Sequence, residues 1–210
     1  MPHGFEIEIP SPIENLQLPE PNLTLWWQNA LNHRTFWIDF DIDIDLLSIE
    51  RMILDINRQD IGVDPEKRKP IVIWIYSYGG DLDCTLSFID VCELSKTPII
   101  TINAGVAMSG GLMALLAGHK RYALKRSRAL IHSGSTSGGG GTYEQSEAAM
   151  ADYKRLIQIV RSYILDRTGM DKKLFDKKKS VEWYLNADEQ LANGIIHGVL
   201  TDLSEIEGIG

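Results

Sequence analysis

"ITINAGVAMSGGLMALLAGH", Ile100 to His119, is the stretch on which the fold turns. It begins as an apolar, β-branched run, passes through small residues around Ser109, and ends as an apolar helical pattern. A short continuous apolar run bounded by turn residues predicts a strand buried on both faces, and such strands sit in parallel sheets covered by helices. The neighbouring segments repeat the theme. Upstream, "IVIWIYSYGGD" (Ile71 to Asp81) is another buried strand closed by two glycines, and "LDCTLSFIDVCELSK" is an amphipathic helix. Downstream, "KRYALKRSRALIHSG" reads as one more strand. Strands alternating with helices predict βαβ units, hence an α/β fold with a mostly parallel sheet.

Further out, "RTFWIDFDIDID" places Phe36, Ile38, Phe40, Ile42 and Ile44 in strict alternation with polar residues and predicts a half-buried strand. Leu46, Ile49, Ile53 and Ile56 then follow at helical spacing. Residues 1 to about 24 hold five of the eight prolines and read as an extended arm, in which "FEIEIP" has the pattern of a short edge strand. After His132 comes "SGSTSGGGGTYEQ", a linker by composition. It leads into "YEQSEAAMADYKRLIQIVRSYILDRTG", a helical pattern far longer than the mean of about 11–12 residues, which predicts a protruding element that meets another subunit. A basic patch, "DKKLFDKKKS", and a small αβ unit, "NADEQLANGIIHGVLTDL", close the chain, and there is no internal repeat.

The 210 residues suffice for one well-buried domain, and 44% hydrophobic with 24% charged residues is the balance of a globular protein. Lys and Arg are outnumbered 21 to 29 by Asp and Glu, a net charge of -8, which argues against a general nucleic-acid binder. Cys84 and Cys92 lie eight positions apart within one predicted helix, in no disulfide or metal-ligand pattern, and are read as reduced. The N-terminus lacks the basic start and apolar core of a signal peptide, and no segment reaches about 18 uninterrupted apolar residues. The expectation is a cytoplasmic protein without membrane, metal or cofactor.

A serine hydroxyl is a weak nucleophile until a positioned base takes its proton, so Ser109 needs a histidine. Of the five histidines, His132 ends an apolar β run in "RALIHSGS", His197 sits at a similar strand start and is its rival, and His3, His33 and His119 read as solvated. An oxyanion also needs backbone N–H donors. The glycine pair Gly79–Gly80 supplies one candidate, and Gly110, at the start of the helix after Ser109, supplies another, where free N–H groups and the helix dipole favour an anion. Both fall at carboxyl ends of predicted parallel strands, where open α/β sheets place their sites.

The order of these pieces, "YSYGGD", "NAGVAMSGG", "ALIHSGS", a glycine-rich stretch, a long helix and "YLNADEQLANGIIHGVL", resembles the proteolytic subunit of Clp protease from about Arg34 to Leu203. Gly105, Ala107, Ser109 and Gly111 match the family's nucleophile motif, and Ile131 and His132 its base motif. The resemblance implies a crotonase-like fold of repeated ββα units with a protruding handle (about 133–168), an arm at 1–33 with a gating role, and a peptidase domain at 34–210. It implies a serine endopeptidase with Ser109 as nucleophile, His132 as base, and the N–H groups of Gly80 and Gly110 as oxyanion donors. Ser133, Gly134 and Ser135 would pair with the substrate as an added strand. It implies ATP-dependent proteolysis by homo-oligomers: two stacked heptameric rings, a tetradecamer, fed unfolded polypeptide by an AAA+ unfoldase.

Three departures stand out. Tyr78 replaces the proline of the first glycine motif and Asp81 an apolar residue. Counting back from "YLNA" puts Glu182 where the family has its catalytic aspartate, with Asp171 and Asp176 as alternatives. The first 33 residues match no family pattern. Two other readings follow from these: a non-catalytic ring subunit or a capsid-maturation protease. A crotonase-type acyl-CoA enzyme would use carboxylates at its oxyanion site rather than a Ser–His pair.

Overall fold

The computed structural model describes residues 28, 30–39, 42–134, 141–178, 181–202 and 204–207. The chain divides into two units, Met1–His33 and Arg34–Gly210. The expected arm at 1–24 and the "FEIEIP" strand lie outside the described residues, as does Phe40.

The second unit is built on β1 (Thr35–Asp39), β2 (Ile71–Ser77), β3 (Ile99–Met108), β4 (Lys120–Leu124), β5 (Arg128–Ile131), β6 (Trp183–Asn186) and β7 (Gly198–Leu200). The main path through the sheet runs β1-β2-β3-β4-β7, and every pair along it is parallel. Alternation within each strand sorts the two faces. Ile71, Ile73 and Ile75 of β2 point to the helical side, where α1 (Ile42–Gln59), α2 (Leu82–Leu94) and α3 (Gly110–Ala117) bury Leu46, Ile49, Ile53, Ile56, Phe88 and Leu115 against them. Val72, Ile100, Ile102 and Leu200 cluster on the other face with Trp74 and Tyr122 beside them, and Trp37 stacks on Trp74 at 5.3 Å. Burial of both faces is why these strands read as unbroken apolar runs.

Two expectations are corrected. The alternating run stops at Asp39, and α1 begins at Ile42, within "DIDID". The local pattern suits a strand, but the Asp45 carboxylate accepts the N–H of Asp39 at 2.7 Å, and acidic residues are favoured where a helix starts. The segment after His119 is two strands, not one. The first half of β3 pairs with β4 (Ile100 with Lys120), and its second half pairs with β5 (Val106 with Arg128). A buried polar network holds this fork open. Asn103 donates to the Arg128 carbonyl at 3.0 Å and to the Gln190 amide oxygen at 3.1 Å, and it accepts the N–H of Gly105 at 3.1 Å. Gln190, on α6 (Ala187–Ala192), donates in turn to the Leu185 carbonyl at 3.2 Å. One antiparallel pairing, β5 with β6, completes the sheet.

The long helix α4 (Tyr143–Thr168) has 26 residues and starts at a capping box, in which the Thr142 hydroxyl accepts the Gln145 N–H and the Gln145 side chain accepts the N–H of Thr142. Its last turn is riveted to the body. Arg167 donates to the Leu116 and Gly118 carbonyls, and buried Arg121 donates to the carbonyls of Arg167, Gly194 and Ile195. Burial, with Arg167 nearby, lowers the Arg121 pKa to about 10, still well above neutrality. A 3-10 turn at Pro65–Lys67 and the short helices α5 (Lys172–Lys178) and α7 (Ser204–Glu207) are also present.

Candidate active site

Ser109 stands between β3 and α3 with φ 53° and ψ -121°, a left-handed conformation that an L-residue adopts only when its surroundings impose it. Three contacts impose it. The Ser109 N–H donates to the Leu130 carbonyl of β5 at 3.2 Å, its carbonyl accepts the N–H groups of Leu112 and Met113, and the Ser77–Gly80 turn lies directly against it. A Cβ on Gly79 (φ 100°) would come within 2.7 Å of the Ser109 Cβ and 2.8 Å of the Gly110 nitrogen. A Cβ on Gly111 would meet the Ser77 carbonyl at 2.7 Å, so both glycines are required by close approach. The Ser109 side chain makes no capping bond to the helix it precedes, which leaves its hydroxyl for other work. A sharp strand-to-helix turn that lifts a serine out of the backbone is the device that exposes a nucleophile.

His132 follows β5 by one residue, and β5 is the strand that receives the Ser109 N–H. Ser109 and His132 line one cleft together with Gly80, Gly110, Ser133 and Gly134. The His132 Nε2 is buried and has no hydrogen-bond partner among the described residues. A buried imidazole nitrogen left unsatisfied is costly and calls for explanation, and a reacting hydroxyl or substrate is one. Gly110 is the first residue of α3, so its N–H has no intrahelical partner. On the opposite wall the Gly79 N–H is taken by the Ser77 hydroxyl at 3.1 Å, and Gly80 carries the next one.

Two of the other histidines, His197 and His119, serve the backbone. His197 Nδ1 accepts the Arg121 N–H at 3.0 Å and His119 Nδ1 accepts the Ile99 N–H at 2.9 Å, and burial lowers the pKa of both rings. Asp81 caps α2 by accepting the Cys84 N–H at 2.9 Å, a structural reason for the acid after the glycine pair. Tyr78 is exposed and meets the Tyr76 ring edge-on at 6.4 Å. Neither Cys84 nor Cys92 is in a disulfide.

Of the carboxylates, Asp176 is held by Arg161 at 2.7 and 3.0 Å, and Asp171 accepts the Leu174 N–H at 2.8 Å, so both are engaged on α5. Glu182 lies one residue before the last β5–β6 pair, Ile131 with Trp183, just as His132 lies one residue after it, so both flank the same end of the pairing. Its carboxylate accepts the Tyr184 hydroxyl at 2.7 Å. Ser133 and Gly134 are exposed at the cleft, whereas Ser135 lies outside the described residues.

Motif reading missed the far wall. Tyr153, Ile157, Val160 and Ile164 of α4 line the cleft alongside Leu82 and Met113. The signal was present in the 4-3-4 spacing of these four, which marks one face of a helix, but periodicity alone does not say what that face covers. Among the described residues there is no His/Cys/Asp/Glu cluster able to hold a metal ion and no helix long and apolar enough to cross a membrane.

A serine on a strained elbow, an imidazole nitrogen in the same cleft and N–H donors at the ends of parallel strands form the equipment of a serine hydrolase with an α/β scaffold. The family model for Clp protease matches residues 61–202. The ATP-dependent Clp protease proteolytic subunit 2 of Treponema pallidum is 26% identical over 190 residues, 89% of this chain and 92% of that one. Subunits of the same name from Treponema denticola and Prochlorococcus marinus are each 31% identical, over 66% and 67% of this chain and 70% of each relative. The chain belongs to the Clp protease family, and with that membership goes the activity of a serine endopeptidase.

Proposed function

We propose that Ser109, His132 and Glu182 form the catalytic triad of this peptidase, with Gly80 and Gly110 as its oxyanion hole. The observation that carries the reading is the strained, uncapped Ser109 sharing a cleft with the unpartnered Nε2 of His132. His132 takes the Ser109 proton as the oxygen attacks the scissile carbonyl, the N–H groups of Gly80 and Gly110 receive the oxyanion, and His132 returns the proton to the departing amine. Water then releases the acyl group from Ser109 by the same steps in reverse order. Glu182, at the end of the β5–β6 pairing from which His132 also emerges, orients the ring when its carboxylate turns toward it.

The substrate is extended polypeptide. Ser133 and Gly134, with Ser135 after them, offer backbone groups for a strand to add alongside, and the apolar wall of Met113, Ile157 and Ile164 accepts an apolar side chain next to the cleaved bond. Residues 1–33 are assigned a gating role, and residues 34–210, with a handle at about 133–168, the peptidase domain. The relatives' name, proteolytic subunit of an ATP-dependent protease, supports a subunit that works in an assembly driven by ATP. The assembly proposed for this chain is a cytoplasmic homo-oligomer, a heptameric ring stacked into a tetradecamer, that receives unfolded chains from an AAA+ unfoldase. The test is hydrolysis of a fluorogenic peptide with an apolar residue before the cleaved bond. Ser109→Ala and His132→Ala are expected to lose about a thousandfold or more in kcat with unchanged circular dichroism. Retention of activity by folded Ser109→Ala would refute the assignment.

A further inference from the structure

Glu182 immediately precedes β6 (Trp183–Asn186) and lies two residues from Tyr184, so with the backbone kept extended their side chains project to the same face, as the bond between them requires. Tyr184 is opposite Leu130 and Trp183 is opposite Ile131, which brings Glu182 opposite His132 when the register continues. Directly opposed residues of an antiparallel pair have Cβ atoms roughly 4.5–5.5 Å apart on one face. A carboxylate standing straight out at 182 therefore meets the His132 ring. The observed carboxylate turns along the strand instead, and the Tyr184 hydroxyl donates to its Oε2 at 2.7 Å. No hydrogen bond joins Glu182 to His132 among the described residues.

We propose that Tyr184 is a positioning residue for the triad acid: its hydroxyl holds Glu182 off His132, so the resting site is a Ser–His pair and the acid engages when that bond breaks. The inference rests on Glu182 being the acid, as assigned above. The pairing is consistent with the chemistry of both groups. Accepting that bond, Glu182 pushes the Tyr184 phenol above its usual pKa, so it remains a donor throughout the neutral range. Both side chains are exposed, which makes the restraint light and the engaged arrangement accessible. A carboxylate on the far nitrogen of a catalytic imidazole holds it in the reactive tautomer and supports its positive charge, so releasing Glu182 accelerates the chemical step without touching substrate.

The experiment uses the full chain as wild type, Tyr184→Phe, Glu182→Gln and the double variant. Steady-state kinetics on a fluorogenic peptide are combined with initial rates of Ser109 labelling by a fluorophosphonate. Tyr184→Phe is expected to raise kcat and the labelling rate by roughly fivefold at unchanged KM, the scale of one exposed hydrogen bond. The gain is expected to vanish in the double variant. Ultraviolet titration, with Tyr184→Phe subtracted, is expected to show the Tyr184 phenol ionising at lower pH in Glu182→Gln, a readout independent of activity. A wild type that labels while Tyr184→Phe gains nothing or slows would overturn the inference and leave the peptidase assignment standing. A gain that survives in the double variant, or a phenol titration indifferent to Glu182→Gln, overturns it as well. Folded protein with no labelling in any variant overturns the peptidase assignment and the inference together.

Discussion

Ser109 and Gly79 are interdependent at the level of single atoms. The left-handed serine is reachable only because Gly79 has no Cβ to collide with it, and the same absence keeps the Gly110 N–H open toward the cleft. Gly79→Ala is therefore expected to reduce probe labelling at least tenfold and to lower stability by about 1–3 kcal/mol, read as rate and melting temperature. Gly62, with φ 87° and no atom within 4 Å of the place a Cβ would occupy, is the control. Gly62→Ala carries backbone strain alone and leaves labelling unchanged. The proposed roles of Ser109, His132 and the glycine pair are legible in the sequence because such chemistry dictates residue type and the strand ends dictate place. Glu182 was legible only through its match to a family position, since a carboxylate near a strand start has no pattern of its own. Its bond to Tyr184 was not legible, because propensity carries no information on which way an exposed side chain turns.

At the scale of elements, apolar runs identified β2 and β3 because both their faces are buried, and Leu46, Ile49, Ile53 and Ile56 identified α1 because one helical face is. The failures came where local pattern and tertiary pairing disagree. "FDIDID" alternates, yet β1 stops at Asp39, one residue after its buried Ile38. β4 and β5 merge in the sequence because the turn between them, Lys125 to Ser127, has neither Gly nor Pro. β6 is four residues long, and only its pairing with β5 distinguishes it. The Asn103–Gln190 network decides where β5 lies, and β5 delivers His132. Gln190→Leu strips Asn103 and the Leu185 carbonyl of partners, so a loss of about 2–3 kcal/mol is expected, with a parallel fall in labelling.

Asp60, after α1, gives a pH test of the same layer. Arg34 grips it at 2.7 Å through both oxygens and the Thr97 hydroxyl adds a third bond, which together hold its carboxyl below the ordinary 3.8. A depressed folded pKa contributes stability that is present above 3.8 and lost as pH falls through the folded value. Asp60→Asn is expected to melt lower than wild type at pH 7, by about 3 kcal/mol, because it leaves Arg34 without its partner. The gap is expected to narrow steadily in melts taken below about pH 4.

For the whole molecule, the handle helix has two distinct halves. From Tyr153 onward it walls the cleft and its last turn is anchored by Arg121 and Arg167, while Tyr143 and Met150 nearer its start are exposed and lie outside that anchoring. An apolar, solvent-facing helix start suits contact with another subunit, and the native particle is expected to run far above the 23.6 kDa of one chain in a mass measurement, near fourteen times that value. A purely monomeric particle would contradict the chambered assembly while leaving the hydrolytic site intact. Peptide mapping of the protein after reaction with a fluorophosphonate tests that site itself. One adduct is expected, on Ser109, abolished by Ser109→Ala and slowed sharply by His132→Ala; an adduct elsewhere, or none on the folded protein, would refute Ser109 as the nucleophile.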